Sequence, residues 1–444
     1  MFSFIIHLLI FGEHYIRLTI MKYEKYFQYY SLSIILLLMI ITTKVNAITT
    51  VSSTISSSGS IIYPSTESTS IKRIIFAGGP FSSAEIAEKA DSYMCHIEAA
   101  WRVDQIKARN PDVQCLLYRN IRAVKERYPD EYQTFLDNDW ILKDAAGNRI
   151  YSISFRSNWI IDVGNPAVQD WIADWYIGNI GIFDGAYLDN CLPSTEILWS
   201  ISSKPAINPR TGQEYTSDEF EADIISLVNK IKAAIAPKLV VGNGILHGER
   251  FFSASRHEHY SSLLLNSQID GILSEGWLSA LASPEWYSEG KWKDSIDFVV
   301  WLENNFLGGG RMFHPIAHLA EPFNNQGPTL PAGCTQKQYV AYNFASLLLG
   351  ATRSDTHYIN FGYYQSNYLD SLFEVDPGSP LGSYYMVSGT HVYAREFSNI
   401  KVLVNPTYQG YSVSLDGSYE TLDGSPVGST IWMSPHTGTI LIIS

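Results

Sequence analysis

The sequence predicts a (β/α)8 barrel, a TIM barrel, followed by a small all-β C-terminal domain. Eight short β-rich runs alternate with helical patterns from residue 71 onward, which is the mark of a parallel sheet. The loop after the first run is Gly78-Gly79-Pro80 and lacks G-x-G-x-x-G, which argues against a doubly wound open sheet. Past Thr390 the helical period stops, and short β-type runs are separated by Asp416-Gly417 and Asp423-Gly424.

The eight expected strands are Ile71–Ala77, Ser92–Ile97, Gln114–Arg119, Gly181–Asp189, Leu239–Asn243, Gly271–Glu275, Met312–His318 and Tyr358–Gly362. Helix signals fall between them. Ser82-x-x-Glu85 and Thr335-x-x-Gln338 have capping-box spacing. Asn165-Pro166 supplies a cap and an N1 proline before Val168, Trp171, Ile172 and Trp175 on one face. Phe220, Ile224, Leu227, Val228, Ile231 and Ile235 keep helical spacing up to Pro237, and Ser283-Pro284 is the expected start of the sixth helix. The expected division is a targeting region over 1–47, a Ser/Thr-rich linker over 48–70, the barrel over 71–385 and a β-sandwich-like domain over 386–444.

The apolar run Ser31–Thr42 is short for a membrane span, follows Lys22 and Lys25, and precedes Val45-Asn46-Ala47. It has the layout of a signal peptide starting at Met21, with an uncleaved N-terminal anchor, a membrane tether, as the alternative. Either places the protein outside the cytoplasm, secreted or at the cell surface. The net charge is −13, which repels phosphate backbones and argues against nucleic acid as a partner. Cys95, Cys115, Cys191 and Cys334 show no zinc spacing; disulfides or buried free thiols both remain open.

Two strands share an arrangement. Asp184-Gly-Ala-Tyr-Leu-Asp189 and Asp270-Gly-Ile-Leu-Ser-Glu275 each open on Asp-Gly and end on a carboxylate. Parallel barrel strands deliver their C-terminal residues to one face, where such barrels carry their active sites, and alternate strands share a side-chain layer. Asp189 and Glu275 are therefore expected to converge over the barrel mouth. Glycosidic cleavage needs such a pair: one carboxyl protonates the leaving oxygen, and the other attacks the anomeric carbon or activates water.

Phe183–Asn190 (FDGAYLDN) resembles the fourth-strand motif of the hypothetical glycosyl hydrolase 15-like family and of related endo-α-1,4-polygalactosaminidase-type barrels. Trp140–Asn148 (WILKDAAGN) and Ile161–Pro166 (IDVGNP) agree with it, and the resemblance spans residues 72–365. Val402–Pro406 is similar to the β-domains that follow many α-glycosidase barrels. The resemblance implies a retaining glycosidase in which Asp189 is the nucleophile and Glu275 the acid/base.

Sugar contacts are expected from other polar or aromatic groups at strand ends: Glu98, Tyr118, Arg119, Asp162, Asn190, Asn243, His247, Trp277, His314 and Asn360. His257-Glu258-His259 is not a metalloprotease motif, Gly308-Gly-Gly-Arg311 lacks the P-loop Lys, and no G-x-S-x-G elbow occurs, so no metal or cofactor is expected. The expected activity is hydrolysis of oligo- or polysaccharide. The alternative is a non-catalytic carbohydrate-binding surface protein on the same scaffold.

Overall fold

A computed structural model describes residues 72–76, 94–97, 100–152, 157–195, 205–278, 285–317, 330–352, 357–359 and 371–444. The targeting region, the linker, the Ser82–Glu85 signal, Glu98 and Asn360 lie outside the described residues.

Eight parallel strands close into a barrel: β1 (Lys72–Phe76), β2 (Met94–Ile97), β3 (Gln114–Asn120), β4 (Gly185–Asp189), β5 (Leu239–Asn243), β6 (Gly271–Glu275), β7 (Met312–Ile316) and β8 (Tyr358–Ile359). They neighbour one another in chain order, β8 pairs with β1, and the parallel bridge Phe313–His357 completes the ring between β7 and β8. β5 and β6 span the expected residues, β3 runs one residue further, to Asn120, β4 starts later, at Gly185, and β7 ends at Ile316; the remaining expected ends of strands one, two and eight lie outside the described residues. Alternate residues face inward, as the strand period of two requires, so Leu116, Tyr187, Val241, Leu273, Met312 and Ile316 fill the barrel. Leu117, Ala186, Leu188, Val240, Ile272 and Phe313 face outward into the helix layer.

The twin Asp-Gly signals sit at the N-terminal rim and are structural. The Asp184 carboxylate accepts the Cys115 backbone N–H at 2.7 Å and pairs with Lys107 at 2.8 Å. Asp270 repeats this with the Val240 N–H at 2.7 Å and Lys232 at 2.7 Å. Each Asp thus satisfies the N–H of the second residue of the neighbouring strand while a helix lysine neutralises it. The glycines follow because the inner rim is crowded: a Cβ at Gly185 would lie 2.5 Å from the Leu239 carbonyl oxygen.

The described helices are α1 (Ala100–Lys107), α2 (Pro129–Asp137), α3 (Pro166–Asn179), α4 (Ser217–Ile235), α5 (His257–Asn266), α6 (Glu289–Asn305) and α7 (Gln336–Gly350). Asn165 caps α3 by accepting from the Ala167 N–H, as expected. The apolar stripe of α4 is buried from Phe220 to Ile235. Its start is a reciprocal capping box, Thr216 with Glu219, carried by a T-x-x-E spacing. Thr335 caps α7, but Gln338 does not reach back to it; its amide donates instead to the Pro435 and His436 carbonyls. The sixth helix starts at Glu289 with Ser288 as its cap, not at Ser283-Pro284, which lie outside the described residues. The Ser288 hydroxyl accepts the Lys291 N–H at 3.5 Å, as an N-cap side chain does.

Beyond the barrel, β9 (Tyr385–Met386), β10 (Tyr393–Glu396), β11 (Ile400–Asn405), β12 (Tyr411–Ser414), β13 (Tyr419–Glu420), β14 (Pro426–Val427), β15 (Thr430–Met433) and β16 (Thr437–Ile443) are all antiparallel. They form a six-stranded sheet, β9-β10-β11-β16-β13-β14, and a ribbon, β12-β15. Val392, Ala394, Leu403, Val413, Met433 and Leu441 pack between the two. The other face of the sheet lies on α7, where Gly438 brings β16 within reach: a Cβ there would be 2.5 Å from the Ala341 carbonyl oxygen. Arg395 crosses this boundary, and Trp286 stacks on His436 at 4.7 Å.

Cys115, Cys191 and Cys334 are free thiols, and burial pushes the Cys191 thiol up to about 12. Among the described residues no helix is long and apolar enough to cross a membrane, and no group of His, Cys, Asp and Glu is arranged to hold a metal ion.

Candidate active site

Three neighbouring strands end alike. Asp189 is followed by Asn190 at φ 60°, Asn243 by Gly244 at φ 111°, and Glu275 by Gly276 at φ 77°. A left-handed residue turns the chain off the sheet at once, so the last side chain of each strand is left inward-facing at the C-terminal rim. Glycine reaches this region without strain, and asparagine tolerates it better than other residues that carry a side chain.

Asn243 joins the two carboxylates. Its Nδ2 donates to Asp189 Oδ1 at 3.0 Å and to Glu275 Oε1 at 2.7 Å. Laid end to end, these bonds cap the separation of the two oxygens at about 5.7 Å. Asp189 receives further donors: the Tyr118 hydroxyl at 2.7 Å, the Asn190 backbone N–H at 2.9 Å, the Asn190 amide at 3.1 Å and the Asn120 amide at 3.5 Å. All five contacts donate, the arrangement that an ionised carboxylate with four lone-pair sites takes. Tyr118 is held by stacking on Tyr187, with centroids 5.7 Å apart.

Glu275 is placed differently. Burial, and then the Asp189 charge, push its carboxyl up to about 7, against the Asn243 amide, which favours the ionised form. The two acids therefore sit side by side in contrasting surroundings: among the described residues, one is surrounded by donors, and the other has one amide and a like charge beside it. That contrast suits a pair with divided acid and base roles.

Tyr118, Asn190 and Asn243 thus join Asp189 and Glu275 in one cluster. Two members were missed in the sequence. Asn120 lies one residue past the expected strand Gln114–Arg119, but β3 includes it and turns it inward, two residues on from Tyr118. Arg122 is buried and donates to Asn190 Oδ1 at 3.2 Å, and among the described residues its Nε and Nη1 have no acceptor. Burial pushes this guanidinium down to about 10, against the pull of Asp189. The strand period was the available signal for Asn120; no local pattern marks Arg122.

Four expected sugar contacts are corrected. Arg119 alternates with Tyr118 and so faces outward, where it pairs with Glu131 at 2.6 Å and lies over Trp175 at 4.4 Å and Trp171 at 4.8 Å. Trp277 is 0% exposed; its backbone N–H bonds the Ile316 carbonyl, and its ring packs against Phe313. His314 is also 0% exposed, in register with Leu273, one inward layer beneath Glu275, and burial pushes it down to about 3. His247 lies on the outer side of β6, with Nδ1 2.7 Å from Ser274 Oγ and its ring against Trp277 and Tyr287. Burial, and then Arg250, push it down to about 4, so it is neutral there.

Asp162 is buried and accepts the Gly164 N–H at 3.2 Å; burial raises its pKa against the pull of Arg210. It builds the turn before α3, a wall element rather than part of the carboxylate cluster. Asp144 does the same for the Trp140–Asn148 segment by accepting the Ala146 and Asn148 N–H groups. Lys143–Asp144 then pairs with Ala206–Ile207, so the segments after β3 and β4 clasp each other.

No curated protein matches the sequence. Among solved structures, an α-amylase from Lactobacillus plantarum has 11% identity over 84% of this chain and 99% of its own, with a TM-score of 0.49. An Anoxybacillus α-amylase has 12% identity over 81% and 88%, with a TM-score of 0.48. An α-amylase from Geobacillus thermoleovorans, complexed with acarbose, has 10% identity over 84% and 98%, with a TM-score of 0.48. The model of hypothetical glycosyl hydrolase family 15 matches residues 107–401, more than half of the sequence, from the end of α1 to the start of β11. The chain belongs to hypothetical glycosyl hydrolase family 15.

Proposed function

We propose that the protein hydrolyses oligo- or polysaccharide by a retaining mechanism, with Asp189 as nucleophile and Glu275 as acid/base. The observation that carries this reading is the shared Asn243 amide, which holds both carboxylates at one rim. The two oxygens that share this amide, Asp189 Oδ1 and Glu275 Oε1, are at most about 5.7 Å apart, which favours the close spacing of about 5–5.5 Å in retaining pairs over the wider gap that inverting pairs need for a water.

The Asp189 carboxylate attacks the anomeric carbon as the glycosidic C–O bond breaks, and Glu275 gives its proton to the leaving oxygen. Glu275, now ionised, takes a proton from water. The water oxygen attacks the same carbon, and the bond to Asp189 breaks. Tyr118 and Asn190 hold Asp189 in line, and Arg122 fixes Asn190 from behind. The apolar run Ser31–Thr42 supports action outside the cytoplasm.

The acid must be protonated at the start, so kcat/KM is expected to fall about tenfold per pH unit above pH about 7 as Glu275 ionises. Asn243→Ala removes the donor that favours ionised Glu275. This limb is then expected to move to higher pH while kcat drops; a limb that stays or moves down would contradict the placement of Asn243. The activity itself is tested by digesting a panel of neutral, acidic and amino-sugar glycans and following product mass. New reducing ends are expected from at least one glycan. Binding without them would make the protein a carbohydrate-binding barrel instead.

A further inference from the structure

The β12-β15 ribbon has two faces. Tyr411, Val413, Ile431 and Met433 pair across the strands on the inner face and join the core of the β-domain. Ser412 pairs with Trp432, and Ser414 with Thr430, on the outer face, and all four are exposed. Trp432 is 64% exposed. An indole is the most expensive side chain to leave in water, and the core does not need it there, since its neighbours Ile431 and Met433 already fill the inner face.

The backbone is shaped to seat this ring. Gly410, at the turn into β12, meets the indole so closely that a Cβ there would collide with its Cζ2. Tyr408, two residues earlier on the same turn, is 71% exposed and packs edge-on against His436 with centroids 4.5 Å apart. His436 in turn stacks on Trp286 of the barrel, so the turn is braced rather than loose. The surrounding exposed groups, Gln409, Ser412, Ser414, Ser429 and Thr430, are neutral hydroxyls and an amide. The chain as a whole carries −13, yet among the described residues the exposed side chains paired across the ribbon with and beside Trp432 are uncharged; the Asp416 carboxylate just past β12 is engaged by Lys401.

An aromatic ring set among neutral hydroxyl and amide groups matches one ligand chemistry. A pyranose presents an apolar C–H face to a ring and hydroxyls at its edge. We propose that the outer face of this ribbon is a second carbohydrate-binding site, where Trp432 stacks on a sugar ring of a neutral polysaccharide. The site is on the β-domain, separate from the Asp189–Glu275 cluster. The choice of a sugar as ligand leans on the glycosidase reading, but the binding does not depend on hydrolysis.

The test is native electrophoresis of the full chain in gels cast with soluble starch, galactomannan or mixed-linkage β-glucan, in an Asp189→Asn background so that no polymer is cut. Retardation is expected in at least one gel. Trp432→Ala is expected to weaken it at least about tenfold in apparent Kd, as loss of a central aromatic anchor does. Trp432→Tyr should keep most of it. Tyr408→Ala on the same turn should weaken it less. Retardation unchanged by Trp432→Ala, or absent from every gel, would overturn the proposal. Self-association abolished by Trp432→Ala, without polysaccharide binding, would overturn it in favour of a face for a second copy of the chain. Loss of hydrolysis on all glycans would sink the catalytic reading but leave this result standing.

Discussion

Asp189→Asn and Glu275→Gln are each expected to lower kcat/KM by at least about a thousandfold on the best glycan, since each removes one half of the pair that breaks the bond. The two losses should differ in kind. Glu275→Gln should retain more activity on aryl glycosides whose leaving group needs no proton, whereas Asp189→Asn should fail on all of them. Folding should survive both, because Asn and Gln keep the shape of the acids. For Glu275 the effect on stability has a sign. Its folded-state pKa of about 7 lies above the ordinary 4.5, so its protonated form is the one the fold prefers. Stability linked to this group is present below about 4.5 and lost as pH rises through 7. Glu275→Gln should therefore raise Tm relative to the natural chain at pH 8 and not at pH 4. Equal Tm differences at both pH values would contradict the burial of this carboxyl beside Asp189.

Arg395→Ala is expected to cost about 3–5 kcal/mol, the scale of breaking a buried charged network by removing one partner. Arg395 is 1% exposed. Its Nη1 donates to the carbonyls of Leu348 at 3.2 Å, Leu349 at 2.9 Å and Ala351 at 2.7 Å, and its Nε donates to Gly382 at 3.0 Å. Three of these carbonyls are at the C-terminal end of α7, where no further helical N–H groups exist and positive charge is favoured. A β-domain side chain thus completes a barrel helix. Alanine leaves those carbonyls buried without a donor and opens a void. Arg395→Lys should recover only part of the loss, since one ammonium cannot replace a fork anchored at both ends. Urea unfolding followed by tryptophan fluorescence measures both variants; an Arg395→Ala midpoint matching the natural chain would show that the two parts do not depend on this contact.

The barrel was legible because its strands are short, β-rich and evenly separated by capped helices. Asp189, Glu275 and Asn243 were legible because each ends a strand and a left-handed residue follows. Neighbours in sequence are not neighbours in space where a strand alternates or a loop turns away. Tyr118 and Arg119 cannot both face inward, and only Tyr118 does. Trp277 and His247 follow strands six and five, but the backbone N–H of Trp277 is bound to Ile316 and His247 is turned to Ser274 on the outer side. His314 has the inward parity but lies a layer too deep. Arg122 was invisible because its role depends on a contact 68 residues away, with Asn190. The Asp-Gly repeat pointed to the right strands for a different reason: Asp184 and Asp270 serve the opposite rim.

The most direct measurement is the anomeric configuration of the first product, followed by proton NMR before mutarotation, on a glycan that the natural chain cleaves. Asp189 acting as nucleophile, within reach of Glu275, gives a product with the configuration of the bond that was cut. A product of opposite configuration would mean that water attacks directly, and that Asp189 is not the group that bonds the sugar.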